Sequence, residues 1–217
     1  MAMTIERRAF LLTLGAACAL GRQGEPGPKW TEKHPPEWTP GEIRKILDDS
    51  AWVQQAPLQA APDERSADGR AKQFVGDLKV VVRWESAAPI RLARRGAGVP
   101  EATTLRYIVS VSRLPLSLVT ALSGGGPGQP SVSRTEMASK MAAQSFLERA
   151  GKEPIAAHEA VWTTTDFDSR IDISFTDIHQ PIELADHSVR FKSKVGSFIL
   201  AAEFQLRRMV YHGTLAV

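Results

Sequence analysis

The chain reads as all-β: an immunoglobulin-like β-sandwich of seven to eight strands with a short N-terminal helix. Three observations carry that expectation. Segment after segment beyond residue 77 alternates apolar and polar side chains with a period of two, which buries one face of a strand. Turn formers separate these segments without the strand–helix–strand rhythm of a parallel sheet. The start of the chain is an address label, Arg7-Arg8 followed by the apolar run Ala9 to Leu20, so a domain of the secreted kind is expected behind it.

That address fixes the first boundary. The apolar run is shorter than the ~20 residues that span a bilayer, so it suits a signal peptide over residues 1–19 rather than a transmembrane anchor. Paired arginines just ahead of apolar residues have the twin-arginine flavour, and that export machinery carries cargo already folded. Ala17-Cys18-Ala19 fits a small-x-small cut that leaves Leu20 first. Lipidation of Cys18 is the other possibility, although Leu14 lies one place too far upstream for the lipoprotein pattern. Cys18 is the only cysteine, so either outcome leaves the mature chain without a disulfide, cysteine zinc site, iron–sulfur cluster or c-type haem.

Residues 20–37 read as a flexible tether, rich in Gly, Pro, Glu and Lys. A single domain, 38–217, follows. Thr39-Pro40-Gly41-Glu42 opens a helix with an N-cap, a proline in the first turn and a capping box; Ile43, Ile46 and Leu47 give it one apolar face to about Asp49. Pro57 to Ala71 reads as a loop. Strands are expected at Leu78 to Trp84 and Leu105 to Ser112, with the basic segment Arg91 to Pro100 as a mobile link between them. Leu116 to Leu122 suits a short edge segment, and the Gly124 to Pro130 run lacks the Gly-Lys-Ser/Thr or βαβ context of a phosphate loop, so it reads as a hairpin tip. The stretch 135–147 fits either period, and the surrounding regularity favours strand. Ala160 to Thr164, Ile171 to Phe175, Val189 to Val195 and Phe198 to Leu206 are strands, with a last one from Met209 to Val217.

Charge and composition exclude more than they identify. The net charge of +3 falls to +2 without the signal, which is no nucleic-acid footprint. Arg83, Arg91, Arg94 and Arg95 form a local basic cluster that suits anionic lipid or polysaccharide, or simply a solvated loop. No later stretch is long and apolar enough for a transmembrane span.

Chemistry-bearing residues are scattered. His158, His179, His187 and His212 lie in the domain and His34 in the tether; Asp177 with His179 and Asp186 with His187 share a turn-rich region, the one place for a metal-assisted hydrolytic site, but without a ligand spacing such as His-Glu-x-x-His. Asp166, Asp168 and Asp172 offer oxygens to calcium without the rest of an EF-hand loop, and aspartates there also serve as turn formers. Glu136 and Glu148 suit glycosidase work only if folding brings them to the required separation. No Gly-x-Ser-x-Gly elbow is present. Of five tryptophans, Trp84 sits at an alternating apolar position and is expected in the core, while Trp30, Trp38, Trp52 and Trp162 are the candidates for exposure, where they stack on sugars or anchor partners. Catalytic, cofactor-binding and metal residues are therefore assigned to none, and no cofactor is expected.

Trp38-Thr39-Pro40-Gly41-Glu42-Ile43, Val82-Arg83-Trp84-Glu85-Ser86, Tyr107 to Ser112 and Met209-Val210-Tyr211-His212-Gly213 together resemble an uncharacterised family of exported bacterial proteins, over roughly Trp30 to Val217. The resemblance implies export and a mostly β fold and transfers no activity. The expectation is a non-enzymatic domain of the periplasm or cell envelope that binds a protein or glycan partner or serves a structural role; the alternative is a periplasmic metal-assisted hydrolase.

Overall fold

The computed structural model describes residues 29–60, 79–96, 107–114, 133–164, 169–176, 179–195 and 198–217. The expected signal with Arg7, Arg8 and Cys18 lies outside them, as do the expected tether to residue 28, the segment 116–122, the glycine run 124–130, and Asp166, Asp168 and Asp177.

The chain is mainly β. Nine strands form one antiparallel sheet: β1 (Val53–Ala60), β2 (Lys79–Trp84), β3 (Tyr107–Ser112), β4 (Ser145–Glu148), β5 (Ile155–Ala156), β6 (Glu159–Thr164), β7 (Ser169–Phe175), β8 (Ser188–Val195) and β9 (Phe198–Gln205), in the order β5-β4-β8-β9-β1-β2-β3-β7-β6. The expected split into two facing sheets of an immunoglobulin-like sandwich gives way to this single curled sheet. The reason lies in two continuous runs of chain that each serve two ladders. β1 pairs with β2 from Val53 to Pro57 and with β9 from Leu58 to Ala60. Pro57 has no N–H to donate and stands where the pairing changes sides. At the opposite side, β5 and β6 are the two ends of the sheet yet only Ala157 and His158 separate them in the chain. The Ala157 N–H donates to the Ser145 carbonyl (3.0 Å) and the His158 N–H to the Ser174 carbonyl (2.8 Å), so one continuous run hands the β4 ladder over to the β7 ladder. The sheet curls until its two end strands, β5 and β6, follow each other directly in the chain, although they are not hydrogen-bonded to each other.

Inward positions follow the alternation that the sequence displays. Val80, Val82 and Trp84 of β2, Val109 and Val111 of β3, Ile171, Ile173 and Phe175 of β7, Val189 and Phe191 of β8 and Leu200 and Phe204 of β9 are fully buried in one core. Trp84 packs against Tyr107 (5.8 Å between ring centres) and edge-on to Phe204 (5.5 Å). Its Nε1 is a buried donor with no hydrogen-bond partner among the described residues.

Among the described residues, three helices flank the sheet. α1 (Pro40–Asp48) starts as expected: the Glu42 N–H donates to Thr39 Oγ1 (3.2 Å) and the Thr39 N–H to Glu42 Oε2 (2.9 Å), a complete capping box. The basic segment expected to be a mobile link is instead, in its described part, α2 (Ala88–Gly96), with Pro89, Ile90 and Ala93 buried. The ambiguous stretch resolves as α3 (Arg134–Ala142) followed by the short β4, so the strand expectation fails for most of it. Ser133 caps α3 by accepting the Glu136 N–H (3.1 Å), and the helix-forming Met137, Ala138, Met141 and Ala142 form its buried face. The last strand is likewise shorter than expected, a small hairpin of β10 (Val210–Tyr211) and β11 (Thr214–Leu215) that turns at His212 and Gly213, both at positive φ.

The tryptophans overturn the exposure expectation. Trp30, Trp38 and Trp52 are 4%, 6% and 1% exposed and belong to the core. Trp30 meets Trp38 edge-on and Trp52 tilted, each at 6.0 Å, and stacks near Tyr211 at 6.5 Å. Trp38 donates Nε1–H to the Trp30 carbonyl (3.1 Å) and Trp52 donates its own to the Ala216 carbonyl (2.5 Å). The part of the expected tether from Lys29 to Glu37 therefore carries two 3-10 turns, Lys29–Glu32 and Pro35–Glu37, and packs on the closing hairpin. Trp162 alone of the four is partly exposed, with the Arg134 guanidinium 5.9 Å above its ring and its Nε1–H donated to Ser169 Oγ (2.8 Å).

Candidate functional site, a charged row beneath the α2 helix

Outward positions of β2, β3 and β7 would be solvated if this face of the sheet were bare. Register places Arg83 opposite Ser110, Ser110 opposite Asp172 and Asp172 opposite Val161, one row across four strands. Arg83 and Ser110 are buried nonetheless, because α1 and α2 lie over this end of the row: Arg83 Nη1 donates to the Leu47 carbonyl (3.0 Å) at the end of α1.

Glu85, just beyond β2, gathers the network. Its Oε1 accepts from Arg83 Nε (2.7 Å), Arg94 Nη2 of α2 (2.9 Å) and Ser110 Oγ (2.6 Å), and its Oε2 lies 2.7 Å from Arg94 Nε as an ion-pair contact without hydrogen-bond geometry. Burial by itself drives a carboxyl up. Here the charges of Arg83 and Arg94 and the Ser110 hydrogen bond outweigh it and hold Glu85 below the usual glutamate range, so it is an anion at neutral pH. Arg94 is pushed below its ordinary value, first by burial and then by Arg83 and Arg170, against the pull of Glu85.

Asp172 ends the buried part of the row. Its Oδ2 accepts from Arg170 Nε (3.0 Å), while its Oδ1 is shielded from solvent and has no hydrogen-bond partner among the described residues. Burial pushes this carboxyl above the usual aspartate range; Arg170 and Arg94 oppose the rise and the Glu85 charge adds to it. Two carboxylates in one network are thus driven in opposite directions, the pattern by which charged sites separate acid from base. The next residue along, Val161, is 50% exposed, so the row passes from buried charge to open apolar surface within two strands.

The other expected groupings do not assemble among the described residues. No three His, Cys, Asp or Glu side chains there come together as a metal site. His179 is exposed, whereas Asp186 is buried and ion-paired: Lys152 Nζ lies 2.6 Å from Oδ1, Arg149 Nη1 3.9 Å from Oδ2, and the Glu183 N–H donates to Oδ2 (2.9 Å). These contacts hold Asp186 below the usual range despite the cost of burial, and His187 beside it serves as a turn residue at positive φ. Asp172, the described member of the calcium trio, is occupied by Arg170. Glu136 and Glu148 each pair with a lysine, Lys140 and Lys192, at 2.8 and 2.9 Å.

Glu85, Ser110 and Arg170 escaped sequence reading. Ser110 and Arg170 sit at outward strand positions and Glu85 just past the end of β2, where a polar residue looks like an ordinary solvated one; the missed signal was the apolar face of α2, Pro89, Ile90 and Ala93, which needs a sheet to cover. Comparison with family models, curated proteins and solved structures finds no match to this chain.

Proposed function

We propose that the chain is an exported domain of the periplasm or cell envelope that binds a protein or glycan partner without catalysing a reaction. The observation that carries this reading is the half-open row: arginines and carboxylates fixed by one another at one end, and the exposed Val161 beside Asp172 at the other. Such a surface offers a preorganised polar rim and an apolar contact, the makings of recognition rather than of turnover. The export half of the proposal rests on Arg7 and Arg8 ahead of the apolar run, and anchorage through Cys18 is its lipid-linked form. That no helix among the described residues is long and apolar enough to cross a membrane fits a domain delivered across it. The hydrolase reading gains nothing from the geometry, since Asp186 is committed to Lys152.

Native mass spectrometry of the protein recovered from its own cell envelope tests the proposal. A metal-free chain beginning at Leu20, or a lipidated one at Cys18, that carries a protein or glycan mass lost on Val161→Asp substitution is the expected result. A stoichiometric metal, or turnover of an ester or glycoside that survives V161D, overturns the binding reading. In fractionated cells, the double substitution R7K/R8K is expected to leave the precursor inside; unchanged delivery refutes the twin-arginine route.

A further inference from the structure

We propose that the 3-10 turns Leu184–Asp186 and Leu206–Arg208 together form a docking surface for an anionic phospholipid bilayer; the proposal rests on the export reading given above. The two turns lie against each other at one end of the sheet. Ser188 faces Gln205 in the β8–β9 ladder, and the Leu206 N–H donates to the His187 carbonyl at 3.0 Å. One turn presents Leu184, 48% exposed. The other presents Arg207 and Arg208, both exposed and without an ion pair or side-chain hydrogen bond among the described residues. Most of the negative charge nearby is spent, since Asp186 is buried and held by Lys152 and Arg149, and Glu183 alone on that turn stands exposed against the two arginines. Unpaired cations beside an open apolar side chain meet both demands of such a bilayer, attraction to its headgroups and burial of apolar area beneath them. An anionic polysaccharide would use the arginines and leave Leu184 in water.

The path of the chain also favours the bilayer. Met209 and Val210 alone separate Arg208 from Tyr211, a span of at most about 11 Å, and the Tyr211 ring stacks near Trp30 at 6.5 Å. The segment that begins at Lys29 therefore joins the domain at the same end as the two arginines. Only residues 19–28 lie between Cys18 and Lys29, a reach of at most about 40 Å when fully extended. Lipid at Cys18 keeps this end within that distance of the membrane, and a basic and apolar contact beside a lipid chain is the second signal that makes such attachment stable. A chain cut ahead of Leu20 depends on the surface alone.

Vesicle co-sedimentation of the purified chain beginning at Leu20 tests the surface without help from a lipid. At low ionic strength the chain is expected to pellet with phosphatidylglycerol–phosphatidylethanolamine vesicles, to be released as salt rises to about 0.5 M, and to ignore phosphatidylcholine vesicles. R207Q/R208Q should lower the partition about thirty-fold and L184S about five- to tenfold, both at unchanged Tm because these side chains are exposed. K79Q, which removes a positive charge at the far end of β2, should stay within about twofold of the parent. No partition at about 1 mM lipid, or a loss in K79Q equal per charge to that in R207Q/R208Q, overturns the surface. Binding that L184S leaves unmoved and that dextran sulfate abolishes assigns the arginines to a soluble polyanion and overturns the bilayer. All three variants keep Val161 and Arg7-Arg8, so a failure here is distinct from a failure of partner binding or export.

Discussion

Glu85 and Asp172 are both carboxyls in one network, and their opposite responses come from their partners. Glu85 receives two guanidinium groups and a hydroxyl, whereas Asp172 has one guanidinium and a bare oxygen. Converting Glu85 to glutamine leaves Arg83 and Arg94 charged and buried without an anion. Breaking a buried pair from one side typically costs about 3–5 kcal/mol, so E85Q is expected to lower the unfolding free energy by an amount of that order, read as a fall in the urea midpoint at unchanged slope. A midpoint within error of the parent would show that the arginines find water instead. The folded Asp172 carboxyl lies above its unfolded value, so its contribution is fully present below the unfolded aspartate value, near ~3.9, and is lost as pH rises through the folded value. The pH dependence of Glu85 carries the other sign: the folded Glu85 lies below its unfolded value, so its contribution is present above the unfolded glutamate range, about 4.3, and is lost as pH falls through the folded value. Stability should therefore rise on mild acidification and then collapse in stronger acid.

At the scale of elements, what was legible in the sequence depended on how many neighbours an element needed. α1 was readable because Thr39, Pro40 and Glu42 determine its start locally. β2, β3, β7, β8 and β9 were readable because each keeps its own alternation. β1 was not: Gln54, Ala56 and Leu58 take the inward register with only two apolar members, and Pro57 lies between them, since the strand is completed by β2 and β9 rather than by its own pattern. α2 and the Trp30 segment were hidden for a related reason, because arginines that cover a buried carboxylate and tryptophans that dock on a distant hairpin resemble solvent-facing residues when seen alone. Two substitutions separate local from tertiary support. T39A removes one cap and should cost about 1 kcal/mol, a fall of roughly 2–4 °C in Tm for a chain of this length. W30A empties a site enclosed by Trp38, Trp52 and Tyr211, and should cost about 3–5 kcal/mol by calorimetry or denaturant titration. If W30A costs no more than T39A, the Lys29–Glu37 segment is not part of the cooperative fold.

For the molecule as a whole, closure of the sheet through Ala157 and His158 is what turns a set of hairpins into one body. A short Gly-Ser insertion between these residues should uncouple the β4 and β7 ladders and let the end strands β5 and β6 move apart, and separated edges invite pairing with other chains. Size-exclusion chromatography of that variant is expected to show dimers or larger species at concentrations where the parent elutes as a smaller one; an unaltered profile with unaltered Tm would mean that the core alone holds the curl. The aromatic clasp has a further consequence, for the order of events during synthesis. Trp30, Trp38 and Trp52 lie ahead of every strand of the sheet, yet Tyr211 and the Ala216 carbonyl that cover them lie behind every one. A ribosome must deliver the whole sheet before the first described residues find their place, so maturation cannot proceed stepwise from the leading end. Nascent chains cut short before Tyr211 leave three indoles uncovered, a mark by which quality-control proteases can tell unfinished copies from finished ones.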